Sequence, residues 1–448
     1  MGSLRSIVLT ILIWIQLAAS TSIKRQISGR DTIRPPTDDP FYSPPLGYES
    51  QKEGSILRTR EIDSLAFEGS QPIDTASVRQ LLFRSTDSLG NAAAAVTTVV
   101  IPHNANTTRL LSYQIAEDGV WIDCSPSFTL RFGAPQAVGG GDTSSIELLF
   151  ILAALDQGWV VNVPDYQGLN SAYTSGLQGG RATLDSVRAA LASGLLSPDV
   201  EYQLWGYSGG SEASEWAAEL QPAYAPELNF VGAAIGGAIP SLPSALDAIT
   251  GTSSAGLAVA GILGLAQAYP ALKAFVDQHL IPATAAYFKR PLSQCLNDDG
   301  SDFTNQDIST YFDIGEETFT SPTFQAVMNA TGYMGTHGTP KMPMHFYKSV
   351  KDEISPVADT DALVTKLCSN GAQIEYIRNE SGNHTLEAIT GAGDAFTFLK
   401  DRFDGIPAGS SCSTQTVATD LDLSSLEVLG STVVEALLAI LKVPVGPI

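Results

Sequence analysis

Four cysteines and five histidines in 448 residues leave little material for a metal centre. No cysteine stands in a Cys-x-x-Cys pair and the histidines are scattered, so zinc-ligand spacing is absent and no metal is expected. Basic residues are scarce as well: 25 Lys and Arg stand against 47 Asp and Glu, a formal charge of −22. Such a surface repels nucleic acid and favours neutral or apolar substrates. With 44% hydrophobic and only 16% charged residues, a disordered or fibrous chain is excluded and a compact globule with a large core is expected.

What is present begins with a targeting signature. Arg5 precedes the nearly apolar stretch Ile7 to Leu17, and Ala18-Ala19-Ser20 offers small residues for cleavage. The apolar run is shorter than the roughly 20 residues of a spanning helix. A signal peptide over 1–20, a secreted product and no transmembrane segment in the mature chain are therefore expected. Lys24-Arg25 suits a later dibasic cut, and losing residues 1–25 moves the charge from −22 to about −25. Residues 21–45 read as an N-terminal arm, extended on the surface, with Asp39-Pro40-Phe41-Tyr42 in it. In an oxidising compartment Cys124, Cys295, Cys368 and Cys412 imply two disulfides among three possible pairings. Sequons at Asn106, Asn329 and Asn379 are candidate glycosylation sites.

The centre of the chain is Gly206-Tyr207-Ser208-Gly209-Gly210, preceded by the strand-like Glu201 to Trp205 and followed by the helix-like Ser211 to Leu220. Strand, Gly-x-Ser-x-Gly and helix together are the pattern of a nucleophile elbow, in which the glycines permit the sharp turn that exposes the serine. Around it, β-formers at Ala95 to Ile101 and Leu110 to Ile115 suggest a hairpin or adjacent strands. The box Ser144-Ser145-Ile146-Glu147 is expected to open a buried helix, followed by a strand at Val160 to Pro164. Strand and helix alternation argues an α/β fold with a mostly parallel central sheet covered on both faces. We expect a first part of the core over 46–240, an inserted helical cap over 241–336 where strands disappear, and a second part over 337–415.

A serine hydroxyl needs a base, and the base needs an acid to fix its tautomer. The order Ser, Asp, His suits this fold, and Ser208, Asp352 and His384 satisfy it, each in a loop after a strand. Glu353, Asp359 and Asp361 are rival acids, while His345 reads as a packed core residue. Gly209, following the nucleophile, and the loop at Asp118 are placed to supply the oxyanion donors. Asn383 is also a sequon, but a glycan beside His384 would obstruct the cleft, so it is expected to stay unused.

These residues resemble the fungal secretory lipases, the lipase A type of α/β-hydrolase, over nearly the whole mature chain. The resemblance rests on Asp39-Pro40-Phe41-Tyr42, Ala116-Glu117-Asp118 with Cys124-Ser125-Pro126-Ser127, the Ser208 elbow, Asp352-Glu353-Ile354 and the Cys368 region. It implies Ser208 as nucleophile, Asp352 as acid, His384 as base, and an oxyanion hole from Asp118 and Gly209. It also implies disulfides Cys124–Cys295 and Cys368–Cys412, an acyl tunnel under the cap, and a C-terminal flap over 416–448. Gly119, where such lipases often carry Ser, and Gly382-Asn383 before the base depart from the pattern and bear on acyl-chain length.

The expected function is a cofactor-free serine ester hydrolase. Its leading substrates are neutral lipid (triacylglycerol-type) esters met at a lipid–water interface. The alternatives are deacylation of a fungal secondary metabolite such as a trichothecene acetyl ester, acyl transfer on the same scaffold, or a catalytically silent binding protein.

Overall fold

Strands rich in apolar residues on both faces, such as Trp159–Pro164 and Glu201–Tyr207, call for cover on both sides, and apart from Glu201 every residue of the two is buried. In the structure, a computed structural model, they lie inside a ten-stranded sheet. The described residues are 33–67, 69–135, 142–419 and 426–440; the expected signal peptide and residues 21–32 of the arm lie outside them. The chain divides into units 1–34 and 35–448, and the sheet, its helices and the cap all belong to the second.

In chain order the sheet is built from β1 Ile56–Ile62, β2 Ser77–Thr86, β3 Ala92–Ile101, β4 Asn106–Gln114 and β5 Trp159–Pro164. It continues with β6 Glu201–Tyr207, β7 Gly232–Gly236, β8 Met344–Ser349, β9 Ile374–Asn379 and β10 Ser413–Val417. The spatial order is β1-β2-β3-β5-β4-β6-β7-β8-β9-β10. Pairing is antiparallel from β1 to β5 and parallel from there to β10. This is an α/β-hydrolase sheet. The expected pairing of β3 with β4 is not made, because β5 inserts between them. Local β-propensity identified both strands, but their partners are fixed by the chain beyond them. β10 carries the sheet two residues past the expected boundary at 415.

Helices α1 Asp142–Asp156, α2 Gly176–Ala192, α3 Gly209–Tyr224, α4 Leu242–Ile249, α5 Ala255–Ala268 and α6 Pro322–Thr331 follow in order. Then come α7 Val357–Ser369, α8 His384–Thr390, α9 Ala392–Phe403 and α10 Ser431–Ile440. Since α1 already runs at Asp142, Ser144 lies inside it and does not cap it. Glu147, buried, instead turns to the end of β4, accepting the Ala116 N–H at 3.0 Å and the Tyr113 hydroxyl at 3.2 Å. One face of the sheet packs Leu111, Tyr113 and Trp205 against α1, α9 and α10. Alternate residues Leu110, Leu204 and Phe346 meet α2, α3 and α7 on the other. Residues 426–440, within the expected flap, contribute Leu426, Leu429, Val433 and Leu437 to the first of these layers.

Between β7 and β8 the cap has its own apolar core, with Leu263, Phe288, Phe303 and Met328 in it. Gly264 permits its close approach to the loop between β5 and α2, since an added methyl would stand 2.5 Å from the Tyr173 carbonyl oxygen. The disulfide Cys124–Cys295 ties the cap to the loop after β4, and Cys368–Cys412 joins α7 to the chain before β10.

The N-terminal arm is not the surface strap its composition suggests. Pro40–Tyr42 forms a 3-10 turn that buries Phe41 and Tyr42. The Tyr42 hydroxyl hydrogen-bonds Ser127 Oγ at 2.7 Å, and Thr37 caps the Asp123 carboxylate. Asn379 also needs correction as a glycosylation site: it closes β9 with no exposed surface, and its Nδ2 donates to Glu387 Oε2 at 2.8 Å. Sequence alone reveals a sequon, not the burial of its amide. Asn106 and Asn329 are exposed.

Candidate active site

At the sheet's reversal point β4 has β5 on one side and β6 on the other, and ligands in open α/β sheets bind beyond the carboxyl ends of strands at such a point. Four loops leave carboxyl ends here. β4 leads to Asp118, β6 to Ser208, β8 to Asp352 and β9 to His384.

Ser208 joins β6 to α3 with φ 54° and ψ −123°, a backbone conformation disfavoured for any residue with a side chain. The surrounding glycines explain how it is held. A methyl on Gly206 would lie 2.1 Å from the Gly210 carbonyl oxygen, and one on Gly210 would lie 1.9 Å from that of Gln114. Strand and helix therefore touch backbone to backbone, and the Ser208 N–H is fixed by the Gly236 carbonyl at 2.9 Å.

His384 is the first residue of α8, whose start is set by Asn383: its Oδ1 accepts the Leu386 N–H at 3.0 Å. The Tyr207 hydroxyl donates to the His384 carbonyl at 2.5 Å. So placed, the imidazole Nε2 lies 2.8 Å from Ser208 Oγ and Nδ1 lies 2.6 Å from Asp352 Oδ2. Nδ1–H donating to the carboxylate leaves Nε2 with a lone pair facing the Ser208 hydroxyl, the geometry a general base needs. Asp352 Oδ1 is held by the N–H groups of Ile354 and Ser355, each at 2.9 Å. Burial pushes the Asp352 carboxyl up, but His384 and Lys348 outweigh it and hold it well below the usual carboxylate range.

The structure brings Ser208, His384 and Asp352 together and leaves the rivals outside the relay. Glu353 Oε2 accepts the His384 backbone N–H at 2.9 Å, and Asp361 pairs with Arg378 at 3.2 Å. His103 and His279 pair with Asp74 and Asp313, His337 packs at a tilt against Trp216, and His345 is buried against Phe398.

On the other flank of Ser208, Gly209 opens α3, so its N–H has no intrahelical acceptor. Asp118, at φ 46°, lies against it: a methyl on Gly209 would be 2.0 Å from Asp118 Oδ1. Burial pushes the Asp118 carboxyl up to about 6, with His384 and the bonded Tyr173 hydroxyl opposing. Its Oδ1 is buried and without a hydrogen-bond partner. Among the described residues no cluster of three or more His, Cys, Asp or Glu is arranged to hold a metal ion.

An apolar cavity of about 60 Å³ opens under the cap between α4, α5 and α6. Tyr173 and Ile354, which touch Asp118 and Asp352, form its inner wall, while Leu246, Ile262 and Met328 line the rest. Sequence reading named the relay but not Lys348, Tyr207, Tyr173 or Glu147. Lys348 left one signal, a lone cation in an otherwise uncharged strand four residues before Asp352.

Comparison with known proteins decides what this arrangement belongs to. Residues 135–411 match the family model for secretory lipases. The chain belongs to the secretory lipase family. Over 426 residues it is 43% identical to lipase A of Arthroderma benhamiae, spanning 93% of this chain and 90% of that one. A trichothecene C-3 esterase of Fusarium sporotrichioides is 34% identical, over 82% of this chain and 84% of its own. The crystal structure of Candida antarctica lipase A in its closed state superposes with a TM-score of 0.83 at 28% identity, covering 91% of this chain and 96% of that one. This member of the secretory lipase family is thus a carboxylic ester hydrolase.

Proposed function

We propose that the chain is a secreted lipase that cleaves neutral lipid esters of the triacylglycerol type through an acyl-enzyme. Ser208 attacks the ester carbonyl while His384 takes its proton, and Asp352 holds the resulting imidazolium. The oxyanion forms against the Gly209 N–H and a second donor at Asp118. His384 then returns the proton to the departing alcohol, and a water activated by the same base releases the acid from Ser208. In this reading 241–336 is a lid over the acyl site, 416–448 a flap, and the lid meets the lipid–water interface. The secretory route is supported by the two disulfides and the exposed sequons Asn106 and Asn329.

The observation that supports the lipid substrate is the apolar cavity whose wall includes Tyr173, bonded to Asp118, and Ile354, whose N–H donates to Asp352. A cavity of about 60 Å³ suits a short acyl segment, and in this reading a longer chain is admitted as α4 and α6 part. That size also favours a second reading, deacylation of a small metabolite, which the similarity to a trichothecene C-3 esterase supports. The test is hydrolysis of acetyl, butyryl, octanoyl and palmitoyl esters of one chromophore, beside Ser208→Ala. Rates sustained through palmitoyl and rising on emulsions are expected. Rates confined to acetyl would transfer the assignment to the second reading, and retained turnover in Ser208→Ala would overturn both.

A further inference from the structure

Lys348 lies in β8 with no exposed surface. An ammonium in such a place requires close anionic or carbonyl partners. It has two: Nζ donates to the Ala238 carbonyl at 2.7 Å and sits 2.8 Å from Asp352 Oδ2. That oxygen is the same one that accepts His384 Nδ1–H. Two backbone N–H groups already orient the other oxygen, so the cation is not required to aim the carboxylate. What it adds is charge. A full positive charge on the oxygen shared with the base repels an imidazolium forming there, and in a dry site that repulsion is weakly screened.

We propose that Lys348 is a positioning residue that acts through Asp352: its charge, set on the same carboxylate oxygen that His384 Nδ1 contacts, offsets part of the carboxylate's field at the relay and so keeps the enzyme active to lower pH. This rests on the reading of His384 as the catalytic base. The same ammonium ties the acid loop to the elbow, because Ala238 lies two residues past Gly236, whose carbonyl fixes the Ser208 N–H. Other groups set the background. Asp352, Asp359 of α7 and Glu387 of α8 face Lys348, supporting an ammonium that burial pushes down from its ordinary range. Asp118, Glu353 and Tyr207 surround His384.

The test is the pH dependence of kcat/KM for a soluble ester from pH 4 to 9. Lys348→Gln, which keeps amide donors without charge, and Lys348→Met are expected to move the acid limb upward by about one pH unit, near tenfold on the limb. Lys348→Arg keeps the limb in place. Asp359→Asn, at a half-buried position outside the relay, removes a negative charge that partly offsets the ammonium's field and moves the limb down by a few tenths of a unit. A uniform loss of activity with every limb unmoved would make Lys348 merely structural and overturn the proposal; so would an unmoved limb in Asp359→Asn should the neutral Lys348 variants fail to fold. Ser208→Ala separates the two levels: retained activity there refutes the site itself, whereas its loss with unmoved limbs refutes only the role of Lys348.

Discussion

Glu212, in the first turn of α3 just beyond Ser208, is buried, and its Oε1 has no hydrogen-bond partner. A helix N-terminus favours a carboxylate by up to ~1 kcal/mol. Burial opposes this and wins, with the Asp118 carboxyl adding to it, pushing Glu212 from 4.5 up to about 8. The unfolded chain releases this proton near pH 4.5 and the folded chain only near 8. The native state therefore binds more protons across that window, and stability falls as pH rises through it. At ~1.4 kcal/mol per pH unit the loss reaches about 5 kcal/mol at pH 8. Glu212→Gln keeps the shape, cannot ionise and escapes the loss. With an unfolding entropy of ~2.1 cal/mol/K per residue over roughly 400 residues, the difference corresponds to about 6 °C in Tm. Thermal melts at one scan rate should find variant and wild type within about a degree at pH 5. By pH 8 the variant should be higher by about 6 °C. Parallel curves, or a variant less stable at pH 8, would refute the reasoning.

Asp118 carries the same logic into catalysis. Below about pH 6 its buried carboxyl is neutral, while above it a negative charge stands beside the forming oxyanion. Asp118→Asn cannot acquire that charge, so the ratio of variant to wild-type kcat should grow roughly tenfold from pH 5 to 8; a constant ratio would exclude an electrostatic role for the carboxyl. Gly261 of α5 lines the apolar cavity proposed to take the acyl chain, and an added Cβ would meet only Thr174, at 3.5 Å. Gly261→Leu should therefore fold and fill the cavity, lowering octanoyl and palmitoyl rates about tenfold while acetyl rates stay within about twofold. Equal losses on all esters would place the acyl chain elsewhere.

The elbow was legible because its chemistry is local. Two glycines, one serine and the periodicity on either side determine a turn that no distant contact has to complete. The acid and base were legible through loop position, since each follows a short buried strand. Pairing was not, because β-propensity identifies β3 and β4 but not that β5 separates them. β1 and β2 were also missed, because neither alternates cleanly: β1 carries Arg58, Arg60 and Glu61, and in β2 the run Leu81-Leu82-Phe83 lies between Arg79-Gln80 and Arg84. The arm misled for a related reason: Pro and Asp signal a turn, but only tertiary packing shows that Phe41 and Tyr42 are buried beside the loop carrying Ser127.

Least legible were the buried ionisable groups around the nucleophile, since an acidic chain of charge −22 suggests solvated carboxylates. Instead burial pushes Asp118 up to about 6, Glu212 to about 8, and Glu147 well above the usual range. Neutral acids pack and donate where ionised ones would repel one another, and each becomes harder to keep neutral as pH rises. Lys348 acts on the opposite side of the profile, through the Asp352 oxygen it shares with His384. The carboxyls restrain stability and oxyanion binding in alkaline solution, and the lysine extends general-base function into acid. On the proposed reading Asp118, Glu212 and Lys348 thus bias one site in the same direction, toward work below neutral pH.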